Sequence, residues 1–144
     1  MTPNVELQNL NLIDLLSERQ IATRRITEQA WDEESEIRIS NSEWVIMAHI
    51  YKQQPTIASV TKNLDITRQA IHKFIKNLAA KGLVEVKNVE NNKKEKCIRL
   101  TALGEVCHEK HEILKQRLEV QIANKIGADQ LNILKDMLKA DWGI

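Results

Sequence analysis

The fold of this chain is decided by the stretch TRQAIHKFIKNLAAKGLV at residues 67–84. At about 100° per residue, its apolar side chains fall on one face of a helix: Ala70, Ile71, Phe74, Ile75 and Leu78. The opposite face carries Gln69, His72, Lys73 and Lys76. Thr67 has the side chain of a helix N-cap, and Gly82 can adopt the left-handed conformation that ends a helix. The stretch therefore predicts an amphipathic helix with one buried side and one side rich in cations and hydrogen-bonding groups.

A shorter helix is predicted immediately before it, at about residues 57–63. Thr56 is the candidate N-cap, and Ile57 and Val60 would face inward. Three or four residues then lead to Thr67, which is the tight connection of a helix-turn-helix. The alternative is that the polar side of the longer helix is only the solvated face of an ordinary amphipathic helix.

A hairpin is predicted after the longer helix, at about residues 83–100. Its strands are the runs LVEVK at 83–87 and KCIRL at 96–100. Residues 88–95 between them are polar and rich in turn formers, which predicts a long tip. A helix-turn-helix followed directly by a lysine-rich hairpin is typical of a winged helix and is more specific than either part alone.

Helical segments flank this central part. Residues 5–31 contain no Gly or Pro and are compatible with a helix, with a break near 17–20 left open. The acidic stretch 32–36 is predicted to be a loop. A long helix is predicted at about 102–126, and Asp129 starts a last one.

One more helix is predicted before the helix-turn-helix, at about residues 41–53. Ser40 and Glu43 have the spacing of a capping box, and Pro55 ends the helical pattern. The fold class is therefore mainly α with a small β-wing: a winged helix-turn-helix with N- and C-terminal helices.

The size and composition of the chain indicate one soluble domain. A chain of 144 residues, 42% hydrophobic and 3% aromatic, can bury one core, and its aliphatic character favours helices. We expect a single domain over residues 1–144. Neither an apolar run of about 20 residues nor a secretion signal is present, so we expect a cytoplasmic protein with no membrane partner.

The chain shows no catalytic signature. It lacks a G-x-S-x-G, an H-E-x-x-H, a P-loop and a dinucleotide fingerprint, so we expect neither an enzyme nor a cofactor. Cys97 and Cys107 form no C-x-x-C pair and are expected to be reduced, structural thiols.

The charge is distributed unevenly along the chain. The net charge is only +1, but residues 68–99 hold nine lysines and arginines against three glutamates, a net of +6, which leaves −5 for the rest. Such asymmetry indicates a polyanion-binding segment, with a solvated charged face as the alternative.

Double-stranded DNA is the partner that these features predict, because its major groove, roughly 12 Å wide, admits one α-helix and offers hydrogen-bonding base edges. On the longer helix the candidate contacts are Thr67, Arg68, Gln69, His72, Lys73 and Lys76. Among these, Arg68, Gln69, His72 and Lys73 are assigned to bases and Lys76 to a phosphate. On the first helix and the wing the candidate contacts are Thr56, Ser59, Asn92, Lys93, Lys94 and Lys96, assigned to phosphates or the adjacent minor groove.

The sequence resembles the MarR-type winged-helix transcriptional regulators. The resemblance is carried by IHKFIKNLAAKGLV at residues 71–84 and by IRLTALG at residues 98–104, which are similar to the recognition helix and to the strand-to-helix junction of that family. It implies a winged-helix lobe at about 40–100 and an obligate homodimer built from about 5–31 and 102–144. Such a dimer would bind a pseudo-palindromic operator as a repressor, with half-sites about 34 Å apart, and would respond to an effector.

The wing departs from the family pattern. Where the family carries Asp-Arg-Arg, this chain has Asn92-Lys93-Lys94, so the Asp–Arg pair that orients an arginine into the minor groove cannot form. Lysine lacks the planar fork of arginine. We therefore expect the wing to supply phosphate affinity more than sequence reading.

Other signals have competing interpretations. Glu105, His108, His111 and Glu112 resemble the metal-binding residues of zinc-responsive relatives, but a solvated charged face explains them too, and Trp44 stands where those relatives have a histidine. The family resemblance places an effector pocket near Trp31, Trp44 and Met47, and core packing accounts for the same residues. The alternatives to an effector-responsive regulator are a zinc-responsive one and a winged-helix protein-interaction module that does not bind DNA.

Overall fold

The computed structural model describes residues 6–90 and 92–144, with the backbone alone described at Asn92 and Lys93. Val5, the start of the predicted N-terminal helix, lies outside this range. The elements are a 3-10 turn at Leu7–Asn9 and then α1 (Leu12–Glu34), α2 (Asn41–Ile50), α3 (Ile57–Asn63), α4 (Arg68–Ala80), β1 (Val84–Val89), β2 (Asn92–Leu100), α5 (Ala102–Ile126) and α6 (Ala128–Lys139). The fold class is confirmed: the described part is mainly α-helical, with one two-stranded antiparallel wing.

Helix α1 begins at Leu12, later than the predicted start near residue 5, and ends at Glu34, three residues beyond the predicted end at 31. It runs without a break through residues 17–20, and the predicted loop at 32–36 is wrong for its first three residues, which belong to the helix. Glutamate has a good helix propensity, and Arg117 pairs with Glu34 at 3.2 Å (Nη1 to Oε1), which offsets the unfavourable position of a carboxylate at a helix C-terminus.

Helix α2 begins with the predicted capping box. The Ser40 hydroxyl accepts a hydrogen bond from the Glu43 amide at 3.2 Å, and Glu43 Oε1 accepts one from the Ser40 amide at 2.8 Å. The helix ends at Ile50, three residues before the predicted end, because the chain turns at Lys52, where φ is +58°.

Helices α3 and α4 have the predicted bounds and form the helix-turn-helix. Thr56 and Thr67 cap them, each accepting a backbone N–H three residues ahead at 3.1 Å. Gly82, at φ +75°, ends α4 as predicted, and the Leu83 amide donates to the Leu78 carbonyl at 3.0 Å.

The wing is more regular than predicted. Val84 pairs with Leu100 and Asn88 with Lys96, so most of the predicted tip at 88–95 is strand. The ladder uses backbone groups and tolerates polar side chains on its exposed faces, which is why a polar composition misled the prediction. The segment before α3 extends the other edge of β2, since the Ile98 amide donates to the Pro55 carbonyl at 2.9 Å.

The chain forms two compact units. The central unit is Ser35–His111, and the terminal unit is Met1–Glu34 with Glu112–Ile144. The core of the central unit is aliphatic, and its fully buried side chains are Ile46, Met47, Ile50, Val60, Ile71, Leu78, Leu83 and Ile98. In the terminal unit, Trp31 and Leu114 are buried, whereas many apolar side chains of α1 and α6 are exposed.

Candidate nucleic-acid interface

The polar face of α4 is open to solvent. The side chains of Arg68, Gln69, His72, Lys73 and Lys76 are all exposed, opposite the buried side chains of Ile71, Ile75 and Leu78. Within the described part of the chain, none of these five polar side chains makes a hydrogen bond or an ion pair. They are therefore available to an external partner.

The hydroxyl groups of the helix-turn-helix make hydrogen bonds within their own helices. Thr67 Oγ1 accepts from the Ala70 amide, so its oxygen is used by the N-cap of α4 while its O–H remains a donor. Thr56 has the same role at α3, where Ser59 Oγ also accepts from Asn63 Nδ2 at 3.3 Å. A hydroxyl whose oxygen caps a helix can still donate to a phosphate.

A groove of about 780 Å³ lies between the helix-turn-helix and the wing. On the helix side it is lined by Ile57, Ala58, Thr61, Arg68, His72 and Ile75, and on the wing side by Val86, Lys94, Glu95 and Lys96. The groove thus brings Arg68, Lys94 and Lys96 together against one carboxylate. This excess of cations attracts a polyanion. The side chains of Asn92 and Lys93, the other predicted wing contacts, lie outside the described residues.

Residues on the other face of the wing interact with each other. Arg99 stands opposite Glu85 in the register and donates to Glu85 Oε2 from Nε at 3.0 Å and from Nη2 at 2.8 Å. This hydrogen-bonded guanidinium holds the pKa of the Glu85 carboxyl below its ordinary value. The wing therefore has one face that turns cations toward the groove and another face that holds the Glu85–Arg99 ion pair.

A partly buried ion pair joins the end of α4 to the start of α2. Lys81 Nζ donates to Glu43 Oε1 at 2.9 Å, to Glu43 Oε2 at 3.0 Å and to the Arg38 carbonyl at 2.6 Å. Glu43 is 2% exposed. The sequence identified Glu43 as a capping residue and Lys81 as a helix-terminal cation, but no local signal pairs two residues 38 positions apart.

Two histidines of α5 pack against aromatic residues around α2, one stacked and one tilted. The rings of Trp44 and His111 lie 3.8 Å apart and 4° from parallel, and those of Tyr51 and His108 lie 4.4 Å apart. His108 is 6% exposed. The prediction that it belongs to a solvated charged face is therefore wrong, because its ring packs against Tyr51.

Near these histidines, the pKa values of Tyr51 and Cys107 are both raised. Tyr51 donates from its hydroxyl to Glu109 at 2.5 Å, and this hydrogen bond to the carboxylate raises the pKa of the phenol. Burial raises the pKa of the Cys107 thiol. Cys107 is 3% exposed, in agreement with the structural role predicted for it.

Neither the metal nor the effector prediction gains a defined site. No group of three or more His, Cys, Asp or Glu side chains able to hold a metal occurs among the described residues, Glu105 and Glu112 included. Trp31, Trp44 and Met47, the candidate effector residues, are all buried. Trp31 belongs to the terminal unit and the other two to the central unit.

Comparisons with known proteins agree with this geometry. Residues 39–104 match the family described as winged helix DNA-binding domain. Among solved structures, the reduced form of MarR from E. coli superimposes with a TM-score of 0.76 at 21% identity, covering 90% of this chain and 95% of that one. A mutant MarR from E. coli complexed with operator DNA gives 0.74 at 20% identity, with coverages of 95% and 97%. A mutant MepR from S. aureus gives 0.72 at 17% identity, with coverages of 90% and 94%.

A sequence search among curated proteins gives no match. In the described part of the chain, no helix has the length and apolar character needed to cross a membrane.

The helix-turn-helix, its exposed cationic face and the adjoining wing all lie within residues 39–104, the segment that is similar to the winged helix DNA-binding domain family. The chain as a whole has the MarR-type winged-helix fold. The resemblance seen at residues 71–84 and 98–104 is thus confirmed at the level of the fold.

Proposed function

We propose that this protein is a dimeric, sequence-specific transcriptional repressor that binds a pseudo-palindromic operator. The observation that carries the proposal is the exposed polar face of α4, which has no partner within the described chain and stands beside a groove lined by Lys94 and Lys96. The similar fold of a MarR bound to operator DNA supports this choice of partner.

The proposed contacts divide into two kinds. Arg68, Gln69, His72 and Lys73 lie in the first half of α4 and enter the major groove to contact base edges. Phosphates and the flanking minor groove are contacted by Thr56, Ser59, Thr67, Lys76, Asn92, Lys93, Lys94 and Lys96. Side chains of the wing contribute affinity, since a lysine is a point charge without arginine's bidentate geometry.

The exposed apolar side chains of the terminal unit support the homodimer. On α6, Ile133, Leu134, Met137 and Leu138 are between 44% and 60% exposed, and Leu12 and Ile13 on α1 are more than half exposed. Contiguous apolar surface of this kind marks an interaction site. A second copy of the same unit covers it and presents two α4 helices to one DNA duplex.

The proposed regulator responds to an effector. Trp31, Trp44 and Met47 are the residues assigned to its site, and a ligand that alters the spacing of the two α4 helices would loosen the operator complex. We place this activity in the cytoplasm.

Selection from a pool of random duplexes, at two stated salt concentrations, tests the proposal. We expect enrichment of an inverted repeat whose half-sites lie about one helical turn, roughly 34 Å, apart. Affinity should fall steeply with salt, because the phosphate contacts release counterions on binding. Retention of no duplex at low salt would contradict DNA binding and favour the protein-interaction module.

A further inference from the structure

We propose that the ion pair between Glu43 and Lys81 is a positioning device: it sets the orientation of α4 and thereby the degree of sequence discrimination. This inference rests on the proposed DNA-binding function. It assigns to the two residues a role that neither their helix-capping positions nor the family comparison gives them.

All three N–H donors of the Lys81 ammonium group have acceptors. A lysine ammonium has three N–H donors, and Lys81 Nζ has three acceptors within 3.0 Å: the two Glu43 oxygens and the Arg38 carbonyl. Glu43 Oε1 also accepts from the Ser40 amide at 2.8 Å. Each donor of the ammonium group therefore has a partner, and the flexible lysine side chain is held in one place.

Burial makes these bonds directional restraints. The Glu43 side chain is 3% exposed and that of Lys81 is 32% exposed, so water competes little for the carboxylate. Charge-assisted hydrogen bonds fix distance and angle, whereas the apolar contacts of Ile71, Ile75 and Leu78 hold the inner face of α4 without a strong angular preference.

Because Lys81 lies at one end of α4, a small change of helix angle there displaces the other end of the helix by a large distance. Lys81 directly follows the last residue of α4, and the reading residues lie at the opposite end, beginning with Arg68. At 1.5 Å per residue this separation is about 20 Å, so a tilt of about 10° at Lys81 moves the reading end by about 3 Å. Hydrogen bonds to base edges tolerate far less than that, while phosphate contacts from long lysines adapt.

The other end of the pair is itself fixed. Glu43 lies in the first turn of α2, held by the capping box, and the next residue, Trp44, stacks on His111 of α5. The end of α4 is therefore tied to an element that has contacts of its own, and not to a mobile loop.

The test is the double variant Glu43→Gln/Lys81→Met. The introduced glutamine keeps an oxygen for the Ser40 amide, no buried charge is left unpaired, and the net charge of the protein is unchanged. We expect a folded protein whose operator affinity, divided by its affinity for random duplex, falls at least tenfold. The slope of log affinity against log salt should stay the same, because the phosphate contacts remain.

The matched control is Lys52→Met/Glu105→Gln, which removes an exposed pair of the central unit at 3.4 Å with the same net charge. It should leave the discrimination ratio unchanged. A Glu43→Gln/Lys81→Met ratio within twofold of wild type, whatever its melting temperature, would overturn the proposal, since a purely structural pair changes stability and not discrimination.

Two further outcomes are distinguishable. If the double variant lacks a cooperative melting transition, Lys81→Gln is measured against the same twofold and tenfold criteria, because it keeps a neutral donor toward Glu43. If wild-type protein itself binds operator and random duplex equally, the proposed function fails and this inference fails with it. Discrimination in wild type together with an unchanged ratio in the variant refutes only the positioning role.

Discussion

At the residue scale, Gln69 and Lys76 lie on the same exposed face of α4 but suit different parts of DNA. An amide can donate to and accept from a base edge, whereas a lysine one to two turns further along meets a phosphate. We expect Lys76→Ala to weaken binding to operator and random duplex alike and to reduce the salt slope by about one unit.

Substitution of the residues proposed to contact bases should have a different effect. We expect Gln69→Ala and His72→Ala to cost about 1–3 kcal/mol on the operator and to relax the preference at particular base pairs. Binding of each variant to a set of singly substituted operators measures this. Equal losses on operator and random duplex for all three variants would show that the assignment of roles is wrong.

The two cysteines should differ in reactivity toward an alkylating reagent. Burial raises the pKa of Cys107, so less of its reactive thiolate is present at any given pH, and the side chain is also shielded. Cys97 is half-buried. In the native protein at pH 8 we expect Cys97 to be alkylated at least tenfold faster, as followed by mass spectrometry. Cys97→Ser protein that reacts as fast as wild type would contradict this.

At the element scale, α5 docks on the base of the wing through Gly104. A Cβ at this position would lie 2.1 Å from the Leu83 carbonyl oxygen and 3.2 Å from Leu100 Cδ2. This oxygen belongs to the backbone and already accepts a hydrogen bond from the Thr101 amide at 3.0 Å, so moving it would weaken that bond and shift the backbone. We expect Gly104→Ala to destabilise the fold by about 1–3 kcal/mol.

Gly82→Ala is a useful comparison, since open space surrounds it and only its φ of +75° is strained. It should cost about 1 kcal/mol. Urea unfolding followed by circular dichroism measures both. A Gly104→Ala variant as stable as wild type would show that α5 does not need this close approach.

The wing should act through one face. Lys94 and Lys96 line the groove beside α4, whereas Lys87 is opposite Cys97 in the register and does not line it. We expect Lys94→Ala/Lys96→Ala to reduce the salt slope of DNA binding by about two units and Lys87→Ala to leave it unchanged. The same loss from Lys87→Ala as from the pair would mean that only the total charge of the wing matters.

The sequence predicts those elements whose signals are local. The capping box at Ser40 and Glu43, the caps at Thr56 and Thr67, and the left-handed Gly82 all act within four residues, and all are found where expected. What it could not predict depends on tertiary contacts: the burial of His108 against Tyr51, and the strand pairing within residues 88–95.

In the candidate site, too, local features could be predicted from the sequence and tertiary ones could not. The exposed face of α4 could be predicted because a helix with period 3.6 places its own polar residues together. The groove could not, because it depends on how the wing folds back beside α4. The pair of Glu43 and Lys81 was missed for the same reason, since it joins positions far apart in the chain.

At the scale of the whole molecule, the proposed dimer predicts that a charge on the apolar face of α6 separates the copies. Met137 is 60% exposed, and burying a glutamate at its position in an apolar interface would cost several kcal/mol. We expect Met137→Glu to shift sedimentation toward the monomer and to weaken operator binding. Val45→Glu, at a 39% exposed position in the central unit, is the control. Monomeric wild-type protein at micromolar concentration would contradict the proposal.

The five exposed side chains of α4 make no hydrogen bond or ion pair within the described chain, and the buried side of the same helix supports the fold. Substitutions at these five positions therefore cost little stability, in general less than about 0.5 kcal/mol each. Folding and the proposed DNA binding therefore depend on different residues of α4. Under the proposed function, a lineage can thus acquire a new operator by changing Arg68, Gln69, His72, Lys73 or Lys76 without passing through an unstable intermediate, and the same positions can be randomised to redesign the proposed DNA preference.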